Sequence, residues 1–395
     1  MSAHAGYMDY AATTPVDPRV VDAMVPFLTE RFGNPSSLYA AGRDAYRALE
    51  DARERVAALI GADAPGEVIF TSGGTEGDNA ALVGTMARLA PGGGGHLIVS
   101  SYEHHAVLEP AQWLGKQGHE VSYVAPRSDG FVHAEDVAAQ MRPNTQLVSV
   151  MHGNNEIGTV NDIAAIAVIA HASGALMHTD AAQTLGKVPF DVNRLGVDLA
   201  SFSGHKIYAP KGTGVLYLRR GTKFEPMLRG GGQESKRRSG TQNVAGAVAF
   251  ATALELIVAD MPAESIRLAR LRDRLVLGVT TRLENTEPSV SEGERLPHIA
   301  SLLIKGVEGE AMLLQLDNKG ISVSTGSACS SGSLEPSHVL LSIGCPPEIA
   351  HGSLRLSLGR FTTEGDVDTF LEVFPPIVER LRSMSPVYAR MFGAG

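Results

Sequence analysis

The chain has 395 residues, 44% of them hydrophobic and 19% charged, which excludes a disordered or fibrous protein and leaves room for a sizeable core. A net charge of -9 and a pI near 5.8 exclude a surface built to neutralise nucleic-acid phosphates or anionic lipid. Two cysteines, Cys329 and Cys345, exclude a disulfide framework and fit a reducing cytoplasm.

Residues 1–10 hold His4 and Asp9 and no apolar run, which predicts no signal peptide. No apolar stretch reads as bilayer length, which predicts no membrane insertion. Residues 11–40 carry Thr-Thr-Pro, Asp-Pro and Phe32-Gly33-Asn34-Pro35, and read as a turn-rich loop. From about Ala41 the apolar residues Ala45, Leu49, Ala52, Val56 and Leu59 recur at helical spacing until Gly61, predicting a helix with one buried face.

A strand at 67–70 then runs into Thr71-Ser72-Gly73-Gly74-Thr75-Glu76 and a helix through Leu89. Strand, glycine turn and helix make an anion site, because the free N–H groups of a helix start point outward and Gly73 and Gly74 admit a close approach. On that segment alone a plain N-cap explains Thr75 equally well. No Gly-Lys-Ser/Thr ending is present, so it is not a Walker loop.

Further strands are predicted at 97–100, 121–124, 146–150, 175–179, just before Lys206, and at 214–218, alternating with helices. The rhythm is that of an α/β fold, a mainly parallel seven-stranded sheet with helices on both faces. Polar residues cluster just after strands: Glu103 and His104, Asn155, Asp180, Gln183, then Ser203, His205 and Lys206. Ligands of open α/β sheets bind at that edge. Beyond them lie a glycine-rich basic stretch at 230–241, a helix at about 244–258, and a change of pattern near Pro262 to a long charged helix at 263–282. Two domains follow: a large one at 16–261, and a small α+β one built from 1–15 and 262–395. The small part contains Ser324-Thr325-Gly326-Ser327-Ala328-Cys329-Ser330-Ser331-Gly332-Ser333, with nothing large to bury, so Cys329 reads as exposed and Cys345 as structural. Arg355 in the strand-like run 354–358 is costly to bury without a carboxylate partner.

Taken alone, the run Ser201-Phe202-Ser203-Gly204-His205-Lys206 fits a solvated loop lysine better than a reactive one. The rest of the chain changes that, because it supplies what pyridoxal 5'-phosphate needs: a lysine for a Schiff base, a helix start for the phosphate, and a carboxylate, Asp180, for the pyridine nitrogen. Gln183 and Asn155 are candidates for the phenolic oxygen and His104 for the ring face. With no HExxH or paired Cys-x-x-Cys, no intrinsic metal is predicted.

Eight motifs in order, from Asp9-Tyr10-Ala11-Ala12-Thr13-Thr14-Pro15 through Met151-His152-Gly153-Asn154-Asn155-Glu156 and Ser203-Gly204-His205-Lys206 to Ser357-Leu358-Gly359-Arg360-Phe361, resemble one family. It is the cysteine desulfurases of the NifS/IscS type, in the class V branch of fold-type I pyridoxal phosphate enzymes. The resemblance implies Gly74, Thr75, Ser203 and His205 as the phosphate cradle, Thr241 reaching the phosphate of a homodimer partner, Lys206 as the cofactor lysine, and Asp180 as the pyridinium partner. It implies Cys329 as the sulfur acceptor, His104 as a catalytic group, and Arg355, Asn155 and Asn34 at the substrate. Conversion of L-cysteine to L-alanine with a persulfide on Cys329 is the implied activity, with delivery to an iron–sulfur scaffold protein or other acceptor. Cys329 is also offered as a ligand to a transferred [2Fe-2S] cluster. The alternatives are a class V aminotransferase or selenocysteine lyase, and a sulfur-relay protein without turnover. Gly77 departs from the serine or alanine usual in relatives, a change expected to be tolerated beside a phosphate. The chain ends soon after Val387-Tyr388-Ala389-Arg390, without the longer tail with which some relatives grip a scaffold.

Overall fold

The computed structural model describes residues 4–326 and 335–393. Its centre is a seven-stranded sheet: β1 (Val68–Thr71), β2 (His96–Ser100), β3 (Glu120–Val124), β4 (Thr145–Ser149), β5 (Leu176–Asp180), β6 (Leu199–Ser203) and β7 (Gly214–Leu218), in the order β1-β7-β6-β5-β4-β2-β3. Pairs β2–β3, β2–β4, β4–β5 and β5–β6 are parallel, and only β7 runs antiparallel to its neighbours β1 and β6. The mainly parallel sheet is therefore as expected. Its strands read as nearly continuous apolar runs because helices cover both faces.

Direction matters more than order here. β1, β2, β4, β5 and β6 all end at one edge, and β7 starts there, with Gly214 opposite both Thr71 and Ser203. Every polar cluster that follows a strand is thereby delivered to one place.

A second, three-stranded antiparallel sheet, β8 (Thr286–Pro288), β9 (Ile299–Ile304) and β10 (Ser353–Ser357), runs in the order β10-β9-β8. It has its own apolar cluster, including Leu268, Leu275, Leu302, Leu356, Phe370 and Phe374. The N-terminal segment belongs beside it: Tyr7 bridges to Ser322 and Asp9 to Ser357.

Three expectations are corrected. The two helices anticipated on either side of Pro262 are one helix, Val244–Thr280, of 37 residues. An interior proline costs a helix about 3 kcal/mol or more. Burial at both ends outweighs that, with Phe250 and Leu254 in the large core and Leu271 and Leu275 in the small one. The same helix overturns the statement that no stretch reaches bilayer length, since an 18-residue window of it has mean hydropathy 1.8; that window is 61% buried within the fold, which makes it a core helix. The loop expected at 11–40 contains two short helices, Pro18–Met24 and Pro26–Thr29, each started by a proline whose missing N–H costs nothing at a helix start.

Candidate active site

At the shared strand edge lies a cavity of about 690 Å³. Its first wall is the start of the helix Gly74–Leu89, which has Gly73 as its cap and no side-chain cap bond, so its leading N–H groups are left for whatever occupies the cavity. The acidic residue of that first turn is tied up: Glu76 accepts from the Ser72 N–H at 2.7 Å and pairs with Arg238 at 2.8 Å. Burial alone would raise the Glu76 pKa, but Arg238 and the Ser72 bond outweigh it.

Opposite stand Ser203, His205, Lys206, Lys211 and Gly212, all on the cavity. His205 Nδ1 lies 3.1 Å from the Thr13 hydroxyl, and burial, helped by Lys206 and Lys211, lowers its pKa to about 4. The ring is neutral at pH 7. Lys206 follows β6 in a tight turn, Gly204–Lys206, and its amine donates to the carbonyls of Ala11 at 2.5 Å and Ala12 at 2.8 Å. The lysine side chain thus spans from the large sheet to the N-terminal segment.

The far wall includes the buried acids Asp180 and Asp78, and a third, Glu103, is buried nearby without lining the cavity. Asp180 ends β5, accepts from the Ala182 N–H at 2.8 Å, and has its pKa raised by burial against the opposing pull of His104 and Lys206. Asp78 is raised too, by burial and then by Asp180. Glu103, bonded to the Ser100 hydroxyl and to the Met151 N–H at 2.7 Å, is raised by burial to about 8. A buried carboxyl in this state gains most from a cation set against it.

His104 has a task its sequence position did not disclose. It caps the helix His105–Lys116, its Nδ1 accepting the Ala106 N–H at 3.1 Å. Burial first, then Lys206 among its neighbours, lowers its pKa despite Asp180, so the ring is neutral and carries its proton on Nε2.

Arg355 comes from the second sheet. It is 5% exposed, donates Nη2 to Asp9 Oδ1 at 2.9 Å and Nη1 to the Asn155 carbonyl at 3.0 Å, and leaves Nε buried with no partner among the described residues. The carboxylate partner that its burial demanded is therefore Asp9, 346 residues away in sequence. Gln183 donates to the Ala11 carbonyl at 2.9 Å and its Oε1 is likewise buried and unpartnered.

Ten of the expected site residues line this one cavity: Gly74, Thr75, His104, Asn155, Asp180, Gln183, Ser203, His205, Lys206 and Arg355. Two do not. Asn34 is exposed, its Oδ1 taken by the Ser36 N–H, and Thr241 lines a neighbouring cavity of about 240 Å³ that shares the walls Ser72 and Gly212 with the first. Cys329 lies outside the described residues. Asp9, Asp78 and Lys211 were missed; for Lys211 the signal was its place five residues past Lys206 between Pro210 and Gly212. Gly77 packs on β6, where an added Cβ would come within 3.0 Å of Ser201 Oγ and 3.2 Å of its Cβ. The missing side chain there serves helix–sheet packing.

Comparison with known proteins agrees with this geometry. The family model for class-V aminotransferases matches residues 6–370. Cysteine desulfurase IscS of Dictyoglomus turgidum is 48% identical over 380 residues, 96% of each chain. A NifS-like protein of known structure superposes with a TM-score of 0.89 at 37% identity, over 95% of this chain and 100% of that one. SspA in complex with cysteine superposes at 0.80 with 34% identity, over 91% and 100%.

Proposed function

This chain belongs to the class-V aminotransferase family, and we propose that within it the protein is a cysteine desulfurase that converts L-cysteine to L-alanine and takes the sulfur on Cys329 as a persulfide. The net change balances without an external oxidant: one cysteine and one thiol give one alanine and one persulfide. The observation that carries the reading is the meeting, in one cavity, of the Lys206 amine, the buried acid Asp180 and the Arg355 guanidinium with its unpartnered Nε.

The family's cofactor is pyridoxal 5'-phosphate, and the residues fit it. The uncapped helix start at Gly74 and Thr75, with Ser203 and neutral His205 opposite, suits a phosphate. Asp180, pushed toward its neutral form by burial, suits a protonated pyridine nitrogen, which would restore its charge. The orphaned Gln183 Oε1 is a further polar position awaiting a partner. When bound, pyridoxal phosphate supplies a ring that accepts the electron pair left at the substrate Cα.

The chain's own residues do the rest. Arg355 orients the substrate carboxylate with a planar fork already fixed by Asp9 and Asn155. Lys206 removes and returns the Cα proton through Nζ. His104 carries its proton on Nε2 and has Nδ1 committed to Ala106, so it donates to the substrate sulfur and gains no second proton unless the cap opens. Cys329 takes the sulfur and passes it on. An iron–sulfur scaffold protein or a similar sulfur acceptor is the partner this implies, and a chain with only two cysteines suits a reducing cytoplasm.

A homodimer is part of the proposal. Its support is that Thr241 stands outside its own chain's cavity, and that Leu28, Phe32, Leu38 and Tyr39 are exposed. The division at 16–261 against 1–15 with 262–395 is also proposed, supported by the separate apolar cluster around the second sheet.

The test is a visible spectrum followed by borohydride and mass spectrometry. The cofactor should be trapped on Lys206, and cysteine should yield alanine with a persulfide on Cys329. Lys206→Ala should abolish turnover; alanine released from cysteine by that variant at the parent rate would remove the assignment. Alanine formed without a persulfide would favour the lyase or aminotransferase alternative.

A further inference from the structure

We propose that Lys187 is a positioning residue: its side chain holds the carbonyl of Lys206 and thereby fixes the turn from which the Lys206 amine enters the cavity. The inference rests on the role given above to Lys206.

That turn is held carbonyl by carbonyl. The Gly204 carbonyl accepts from the N–H groups of Ile207 and Ala209 at 3.0 Å, and the His205 carbonyl from the N–H and hydroxyl of Thr14 at 2.9 and 3.0 Å. The Lys206 carbonyl accepts from Lys187 Nζ at 3.1 Å. A buried amine thus performs for the third carbonyl what backbone and hydroxyl groups do for the first two.

Lys187 is itself placed with little freedom. It closes the turn that begins at Asp180, where the Ala181 carbonyl accepts from Thr184 and Leu185, and the Thr184 carbonyl from the Lys187 N–H at 2.9 Å. Gly186 holds φ +69, and a Cβ on it would meet Ile257 Cγ2 at 2.4 Å, so the turn is pressed against the long helix. Ser265 of that helix donates its hydroxyl to the Lys187 carbonyl at 2.7 Å. The amine therefore ties the turn after β5, which carries Asp180 and Gln183, to the turn after β6, which carries Lys206.

A packing role alone does not account for an amine here. Lys187 is 6% exposed, and the charge that matters beside it is another cation, Lys206, so the site disfavours an ammonium. Burial and then Lys206 bring its pKa down to about 7. Methionine would fill the same space more cheaply. What methionine lacks is the N–H aimed at the Lys206 carbonyl.

The test measures how fast full-length apoprotein captures pyridoxal 5'-phosphate on residue 206, by borohydride trapping and peptide mass spectrometry, in the parent, Lys187→Met and Lys187→Gln. Loss of one hydrogen bond at a reacting turn is expected to slow capture about tenfold in Lys187→Met. Lys187→Gln keeps an N–H donor and should restore capture to within about threefold of the parent. Melting temperatures of both variants separate this from loss of fold: Lys187→Met should stay folded well above the assay temperature, with any lowering limited to what one lost hydrogen bond costs. Capture by Lys187→Met within twofold of the parent, or no recovery in Lys187→Gln, overturns the inference while leaving Lys206 as the cofactor lysine. If the parent traps nothing on residue 206, the functional reading falls instead.

Discussion

Replacing Arg355 by lysine tests substrate recognition with the positive charge kept. The guanidinium now divides its donors: Nη2 to Asp9, Nη1 to the Asn155 carbonyl, and Nε, buried and unpartnered, left to the cavity. A substrate carboxylate can take Nε together with a remaining Nη hydrogen. A lysine ammonium on its flexible stem can satisfy Asp9 or the substrate, but not both in that planar arrangement. The loss is at least one charge-assisted hydrogen bond, about 1.5–3 kcal/mol, which is roughly a 12- to 160-fold weakening of the substrate carboxylate's hold. The assay is equilibrium binding of L-alanine, the product, read from the visible spectrum, alongside the KM for L-cysteine. Both should rise by at least about tenfold, with kcat changed less. Cysteamine, which is cysteine without the carboxylate, supplies the control and should bind parent and variant alike. Cofactor content and melting temperature exclude a folding defect, since the partner Asp9 keeps a cation beside it. L-alanine affinity and cysteine KM within twofold of the parent would refute the assignment of Arg355.

Two further outcomes are expected. Cys329→Ser should bind cofactor and give cysteine-dependent spectral changes, yet release no sulfur and carry no persulfide by mass spectrometry; sulfide and alanine at the parent rate would discard the mechanism. Glu103→Gln should alter the pH dependence of stability, because burial raises this carboxyl to about 8 from its ordinary 4.5. The stabilisation due to the native state's tighter hold on that proton is complete below about 4.5 and is lost as pH rises through about 8. Melting of Glu103→Gln relative to the parent should therefore improve between pH 5 and pH 8.5, and a constant difference across that range would contradict the raised pKa.

Much of the site was legible because its residues follow strands. Polar residues gather where each strand ends and the chain leaves the sheet: Ser203 is the last residue of β6, Asp180 the last of β5, and Glu103 and His104 come shortly after Ser100 ends β2. Ten of the expected residues reach one cavity for that reason. The rest depended on contacts with no local signature. Asp9 meets Arg355 across 346 residues, and the pairing shows only when the N-terminal segment lies along β10. β8 is three residues ending in Pro288, too short for a period of two to be read. The helix at 244–280 was divided at Pro262 because a local breaker is visible in sequence and the two cores that outweigh it are not.

The titration states around the cavity narrow what the chain can do with protons. Burial is the first cause lowering the pKa of His104, His152, His178 and His205, the last three to about 4, 3 and 4, so at pH 7 each ring is neutral with one N–H. All four rings have a hydrogen-bonded nitrogen, but only His104 Nδ1 has its role fixed, as acceptor of the Ala106 N–H; the others meet hydroxyls that can donate or accept. Neutral His104 thus offers the cavity an Nε2–H, which suits a hydrogen bond to a polar group of the occupant and not the removal of a proton from carbon. Burial also raises the pKa values of the carboxyls behind the site, Asp78, Glu103 and Asp180, which favours their protonated forms. The amines on the cavity are those of Lys206 and Lys211, and Lys206 is the one that follows β6 directly. The proposed role of Lys206 at the Cα proton is compatible with these neighbours, and the turn that carries it is anchored at three successive carbonyls.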